Sequence, residues 1–168
     1  MLIRKQFKFE ACHCVRNCNS ERCKKSFHGH SYVVEVFFRA SQPTAYGMVI
    51  DFGDLKKIGV SKLFDNFDHS WHFWNKEADD VKEFIRNHNQ RWIELPFNPT
   101  AENYAAFFCA EINTLLQQAK FDGVLDNMDA VCCAVRVHET ATGYAEADMD
   151  DAASFDTNII YSPETKES

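Results

Sequence analysis

Two stretches of strict alternation constrain this chain more than any other feature, because one ends and the other begins with histidine. Residues 6–13 read Gln-Phe-Lys-Phe-Glu-Ala-Cys-His, which puts Phe7, Phe9, Ala11 and His13 on one strand face and Lys8, Glu10 and Cys12 on the other. Cys23 to His30 reads Cys-Lys-Lys-Ser-Phe-His-Gly-His and runs directly into a second alternating stretch, Ser31 to Ala40. A strand repeats every two residues, so His28 and His30 project from the same face. Two imidazoles so placed are two corners of a zinc tetrahedron, or simply two strand residues, because His-x-His alone is a weak motif.

An antiparallel pairing of the two strands gathers all three histidines at one end of one sheet face. Three neutral imidazoles with a fourth position free is the arrangement of catalytic zinc, whereas structural zinc is closed by four protein ligands. The pattern therefore predicts Zn2+ held by His13, His28 and His30.

A chain of 168 residues suits one domain, and hydrophobic residues at 45%, with 15 Phe, supply its core. We expect a single domain over 1–168, with its core at about residues 3–147 and an acidic, less patterned segment at 148–168. The start, Met-Leu-Ile-Arg-Lys, lacks the apolar run of a signal peptide, and no stretch approaches a membrane span. Seven cysteines are an odd count, which reads as reduced thiols in the cytoplasm. The net charge of −7 argues against nucleic acid as a partner. It is unevenly spread, +5 over the first thirty residues and −12 over the rest. Arg16, Arg22, Lys24 and Lys25 form a basic cluster suited to a small polyanion such as a phosphate ester, or simply a solvated loop.

In order, the chain reads as strands over Leu2 to His13 and His28 to Ala40, joined by a loop, then a turn at residues 42–47. Met48 to Phe52 is a short extended run. A helix follows with Leu55, Ile58 and Leu63 inward and Gly59 weakening it. Asp65 to Asn75 is aromatic and irregular, and Val81, Phe84 and Ile85 mark a second helix. The clearest helix runs from Thr100, a good N-cap, to Lys120, with a core stripe that includes Tyr104, Phe107, Phe108 and Ile112. Residues 130–138 alternate again, with Val131, Cys133, Val135 and Val137 on one face, and Gly143 to Ala147 begins a further strand.

Cys12, Cys14, Cys18 and Cys23 fall close together and admit a rival, a closed structural zinc knuckle, although their spacing does not match paired C-x2-C hooks. Cys109, Cys132 and Cys133 read as small core residues. Cys23, flanked by Arg22, Lys24 and Lys25, has surroundings that favour a thiolate able to act as a base. Asp68-His69 pairs a carboxylate with an imidazole that could relay protons. Glu139 could accept two parallel hydrogen bonds from a guanidine-like edge.

Phe9-Glu-Ala-Cys-His13, Cys23 followed by His28-Gly-His30-Ser-Tyr32, Met48-Val-Ile-Asp-Phe52, Phe67-Asp-His69, Pro99-Thr-Ala-Glu102 and His138-Glu-Thr140 occur in the order of one family. Over roughly residues 3–147 the chain resembles the 6-pyruvoyl-tetrahydropterin synthase and 6-carboxytetrahydropterin synthase family. The resemblance implies an α+β tunnelling fold: an antiparallel four-stranded sheet with helices packed on one face. Three subunits close their sheets into a barrel, and two trimers stack into a homo-hexamer. It implies zinc on His13, His28 and His30, Cys23 as catalytic base, Asp68 and His69 as its relay partners, and Glu139 as the pterin anchor. The relay pair can belong to a neighbouring subunit.

The substrate so implied is 7,8-dihydroneopterin triphosphate. Lewis-acid activation of its side-chain hydroxyls by zinc is paired with removal of the adjacent C–H proton by Cys23. Reprotonation on the ring then reduces the pterin without a nicotinamide. One branch of the family stops at the 6-pyruvoyl compound. The other also releases acetaldehyde and leaves a 6-carboxy group for queuosine-type deazapurine synthesis. Four residues separate Cys23 from His28 here, against three in the carboxy branch and five in the pyruvoyl branch, so this spacing leaves the product open. The compact chain and His138-Glu-Thr140 with the following Ala-Thr-Gly look more like the carboxy branch. Cys18 is a second thiol that a different loop path would bring to the zinc.

Overall fold

A computed structural model describes residues 1–167. β1 (Leu2–His13) and β2 (His28–Arg39) form the expected antiparallel pair, in register from Leu2 opposite Arg39 to His13 opposite His28. Alternation decides the two faces: Phe9, Tyr32, Val34, Val36 and Phe38 are buried, while Lys8 and Glu10 stay exposed. The loop between the strands carries one short helix, α1 (Glu21–Lys25).

The single helix expected after residue 53 is two helices. α2 (Asp54–Lys57) and α3 (Val60–Phe67) are divided by Gly59, whose φ of 92° is left-handed backbone that glycine tolerates. Met48 to Phe52 is irregular, bending at Val49 and Ile50 and entering a turn at Phe52, rather than a strand. The stretch read as irregular instead contains β3 (Ser70–Trp74), followed by α4 (Asp79–His88) and β4 (Trp92–Leu95). In α4, Ile85 is buried as expected, but Phe84 points to solvent.

α5 (Ala101–Phe121) is the long helix, and the Thr100 side chain accepts the Asn103 N–H as its cap. Its stripe of Tyr104, Phe107, Phe108, Ile112 and Leu116 is fully buried, and the helix packs on β5 (Val131–Thr140) and β6 (Gly143–Asp148). Beyond them lie α6 (Met149–Ala152), β7 (Ile160–Tyr161) and α7 (Pro163–Glu167). The last segment is therefore more ordered than its acidic composition implies. Phe155 rests on Phe97, ring centroids 5.0 Å apart, and the Ser162 N–H bonds the Trp92 carbonyl at 2.9 Å.

The strands form one sheet in the order β6-β5-β2-β1-β3-β4-β7. Four of them, β6 to β1, run antiparallel as the resemblance implies. The whole sheet is seven-stranded and mixed, because β3 and β4 add parallel to β1 and β7 closes β4 antiparallel. One register expectation is corrected. A bulge between Phe37 and Phe38 leaves Cys133 as the extra residue, so Cys132 rather than Val131 and Cys133 joins Val135 and Val137 in the core. No helix of the described residues is long and apolar enough to cross a membrane.

Candidate metal centre

β1 ends where β2 begins, so His13 stands opposite His28, while His30 stands opposite Ala11 one step along the same face. Ring centroids are 4.7 Å apart for His13–His28, 4.9 Å for His28–His30 and 5.1 Å for His13–His30. The ligand atoms of the three lie within 4.8 Å of one another. Among the described residues no other group of three or more His, Cys, Asp or Glu converges in this way. Gly29 suits the close approach of the strands here, since a Cβ on it would stand a tight 3.3 Å from the Ala11 carbonyl.

The backbone fixes two of the rings. His13 Nδ1–H donates to the Pro99 carbonyl at 2.7 Å and His28 Nδ1–H to the Ser26 carbonyl at 3.0 Å. Each bond leaves Nε2 as the lone-pair nitrogen, the usual way an outer partner sets a ligand's tautomer. His30 Nε2 is buried and has no hydrogen-bond partner. Burial pushes His13 down to about 4; the Pro99 carbonyl works against this, and His28 and His30 reinforce it. His30 is also lowered, by burial first, against the pull of the Glu139 carboxylate. Neutral imidazoles around an orphaned buried nitrogen are a donor set that fits zinc.

Glu139, at the end of β5, arrives on this same face. Its Oε1 lies 3.4 Å from His13 Nε2, 3.9 Å from His30 Nε2, and 3.4 Å from the Tyr32 hydroxyl, which donates to it. Tyr32 was quoted in the motif but given no role by the sequence. It follows His28 and His30 at the same period of two, and its hydroxyl sits 3.2 Å from His13 Nδ1. Burial raises its pKa well above the ordinary value. His72 was also missed. Ser70 Oγ and the Tyr104 hydroxyl each lie 2.7 Å from one of its ring nitrogens. Burial, then the nearby His13, pushes its pKa down to about 3. No alternation marks that strand, so no sequence signal pointed to it.

Asp68 and His69 are brought together, but on the other face. His69 Nδ1–H donates to Asp68 Oδ2 at 2.7 Å, and Asp68 Oδ1 accepts the Glu10 N–H at 2.8 Å. Burial opposes ionisation of Asp68, but the bonds from Glu10 and His69 hold it below the usual carboxylate range. His69 also donates its backbone N–H to the Glu10 carbonyl and has a φ of 52°. It helps line an open groove of about 520 Å³ with Glu10, Cys12, Ser31 and Trp71.

Cys23 sits in α1, half-buried, and its carbonyl accepts the Val15 N–H at 3.0 Å and the Cys14 thiol at 3.2 Å. Cys14 is buried, and Cys18 donates instead to the Ser20 carbonyl. The Cys14 and Cys18 thiols thus bond to main chain, and among the described residues the clustered thiols do not converge on a common point, as a knuckle requires. Three members of the basic cluster are already paired: Arg16 with Glu77, and Lys24 and Lys25 with Glu21.

Fold and site together define an α+β domain that carries a three-imidazole centre at the end of an antiparallel sheet, suited to a metal ion. The chain belongs to the 6-pyruvoyl tetrahydropterin synthase family, whose model matches residues 2–150. It is 40% identical over 151 residues to the 6-carboxy-5,6,7,8-tetrahydropterin synthase of Helicobacter pylori, covering 90% of this chain and 74% of that protein. The enzyme of the same name from Rickettsia bellii is 35% identical, over 70% of this chain and 84% of its own length. Two solved structures share the fold. An uncharacterized protein of Wolinella succinogenes has a TM-score of 0.67 at 18% identity, covering 88% of this chain and 97% of its own. The 6-pyruvoyl tetrahydropterin synthase of Plasmodium falciparum has a TM-score of 0.62 at 17% identity, covering 88% and 96%.

Proposed function

We propose that this chain is a zinc-dependent carbon–carbon lyase. It converts 7,8-dihydroneopterin triphosphate to 6-carboxy-5,6,7,8-tetrahydropterin, with release of acetaldehyde and triphosphate, in queuosine biosynthesis. The observation that carries the reading is the orphaned, buried Nε2 of His30 beside the lone pairs of His13 and His28. The 40% identity to the Helicobacter pylori 6-carboxy enzyme favours that product over the 6-pyruvoyl compound.

Zinc on His13, His28 and His30 would supply a Lewis acid for the substrate's side-chain hydroxyls. Glu139 accepts two hydrogen bonds from the amino-pyrimidinone edge of the pterin, a charge-assisted pair that fixes the ring beside the histidines. Tyr32 keeps that carboxylate turned toward the site. Cys23 takes the proton from the side-chain carbon next to the ring, and its return to the ring completes an internal redox change. Asp68 and His69 hold and move a proton, and their place on the opposite face supports their acting on the site of a neighbouring copy. The protein acts in the cytoplasm as a homo-hexamer, a dimer of trimers. In support, β1 pairs with β3 only at Ala11 and Cys12, which leaves most of its edge open for another copy.

The test is direct. Zinc-loaded protein is incubated with 7,8-dihydroneopterin triphosphate and the pterin product identified by mass. The 6-carboxy compound with stoichiometric acetaldehyde is expected; a 6-pyruvoyl product, or none, overturns the proposal.

A further inference from the structure

Outside the metal centre, one set of half-buried polar contacts has no part in that chemistry, and it converges on Arg16. The Asn98 side chain grips the Arg16 main chain twice: its Oδ1 accepts the Arg16 N–H at 3.0 Å and its Nδ2 donates to the Arg16 carbonyl at 2.6 Å. The guanidinium reaches in two other directions. Nε donates to Glu77 Oε2 at 2.6 Å, and Nη1 donates to the Lys24 carbonyl at 2.6 Å. Lys24 is the residue after Cys23. The guanidinium also lies over the Phe27 ring, 5.6 Å from its centroid, one residue before His28.

The clamp therefore joins three segments far apart in sequence: the thiol loop, Glu77 before α4, and the Pro96–Thr100 connection. Its far end is anchored twice more. The Asn98 carbonyl accepts from Asn103 Nδ2 at 2.8 Å, and its neighbour Pro99 supplies the carbonyl that orients His13. The Glu77 side chain is only 8% exposed. A half-buried ion pair of this kind adds little net stability, but the guanidinium's fixed donor geometry sets position.

We infer that Arg16, Glu77 and Asn98 are positioning residues that hold the thiol loop, and with it Cys23, at a set place relative to the three histidines. The inference rests on the reading of Cys23 as base, since its effect on turnover follows from where that thiol lies. A misplacement of about 1 Å at a reacting group costs on the order of 10²-fold in rate.

Three variants test it: Glu77→Gln, Asn98→Ala, and Arg16→Lys, which keeps the charge but loses the fork. Each is measured for zinc content, kcat and KM, hydrogen exchange over residues 14–27, and the alkylation rate of Cys23 by iodoacetamide. We expect zinc retained, KM within a few-fold, and kcat down by roughly 10- to 100-fold. Exchange should accelerate in residues 14–27 and not in α5, and Cys23 should alkylate faster. Parent-like exchange and alkylation in Glu77→Gln and Asn98→Ala overturn the clamp, as does loss of zinc in Glu77→Gln, which would make the contacts part of the metal site. The base assignment fails separately: Cys23→Ala with parent activity removes it, while exchange of the loop still reports on the clamp.

Discussion

At its histidine end the sheet carries proton-active groups on both faces, in opposite settings. On the helix-covered face His13 is fully buried, two rings are tied to carbonyls, and Glu139 is drawn in by Tyr32. On the other face Asp68 and His69 pair at the surface, with the His69 side chain 75% exposed. A metal ligand needs a fixed, desolvated lone pair; a relay has to titrate and exchange protons with its surroundings. The Asp68–His69 pair is tied to the Glu10 main chain at the edge of β1 and lines a groove with the outward residues Glu10, Cys12 and Ser31, away from the buried His13. In the proposed function each copy thus offers two half-sites, and neighbouring copies complete them.

The largest effect belongs to the buried half. His13→Ala removes the ring that Pro99 orients, and both zinc content, read by elemental analysis, and turnover should be lost. Full zinc occupancy in that variant breaks the three-histidine half of the comparison. Next comes the division itself. Cys23→Ala should keep its zinc and lose roughly 10²–10⁴-fold in turnover, and His69→Ala should also be impaired. Co-refolding the two inactive variants should restore measurable turnover, because mixed oligomers contain sites built from two intact halves. If the mixture stays as inactive as its components, the halves are not shared.

A smaller effect sharpens the role of Glu139. Glu139→Gln keeps the shape but loses an acceptor, and substrate binding should weaken by about 2 kcal/mol, roughly 30-fold, with zinc unchanged. Normal binding and turnover would make the residue a bystander. A separate effect, on stability rather than turnover, appears only in acid. His72 is pushed down to about 3 in the folded protein, against 6.5 for an ordinary imidazole. Between those values the unfolded chain binds a proton that the folded one refuses. Its contribution is therefore complete above pH 6.5 and declines by up to about 1.4 kcal/mol per unit as pH falls toward 3. Urea midpoints of metal-free protein at pH 7 and 4.5 should converge more in His72→Gln than in the parent.

The buried half was legible in the sequence because its information is local. Period-two patterning placed Phe9, His13, His28 and His30 on one face, and pairing them required only that neighbouring strands run antiparallel. Thr100 and the stripe behind it likewise marked α5. What was not legible depends on partners distant in the chain. β3 pairs parallel to its neighbours and shows no alternation, and β4 is only four residues long, so His72 stayed hidden in a run of aromatics. The bulge at Cys133 shifts a register that the pattern alone kept continuous. Arg16 reads as a free cation until Glu77 and Asn98, more than sixty residues away, are seen to occupy it.

The fork in the sheet at β1 has a consequence for symmetry. β7, only two residues long, ends one side of the sheet; residues 2–9 of β1 keep an open strand edge, and β6, six residues long, keeps another at the far side. These edges are unlike, so joining one to the other is a heterologous contact, and such contacts either close into a ring or run on as a filament. β7 already covers β4, so the sheet cannot also grow from there by way of β4. The twist of roughly 20–25° between neighbouring strands turns each added copy away from the last. In the proposed oligomer, closure would pair the β1 and β6 edges, and a surface that would otherwise template aggregation would become the seam of a finite particle.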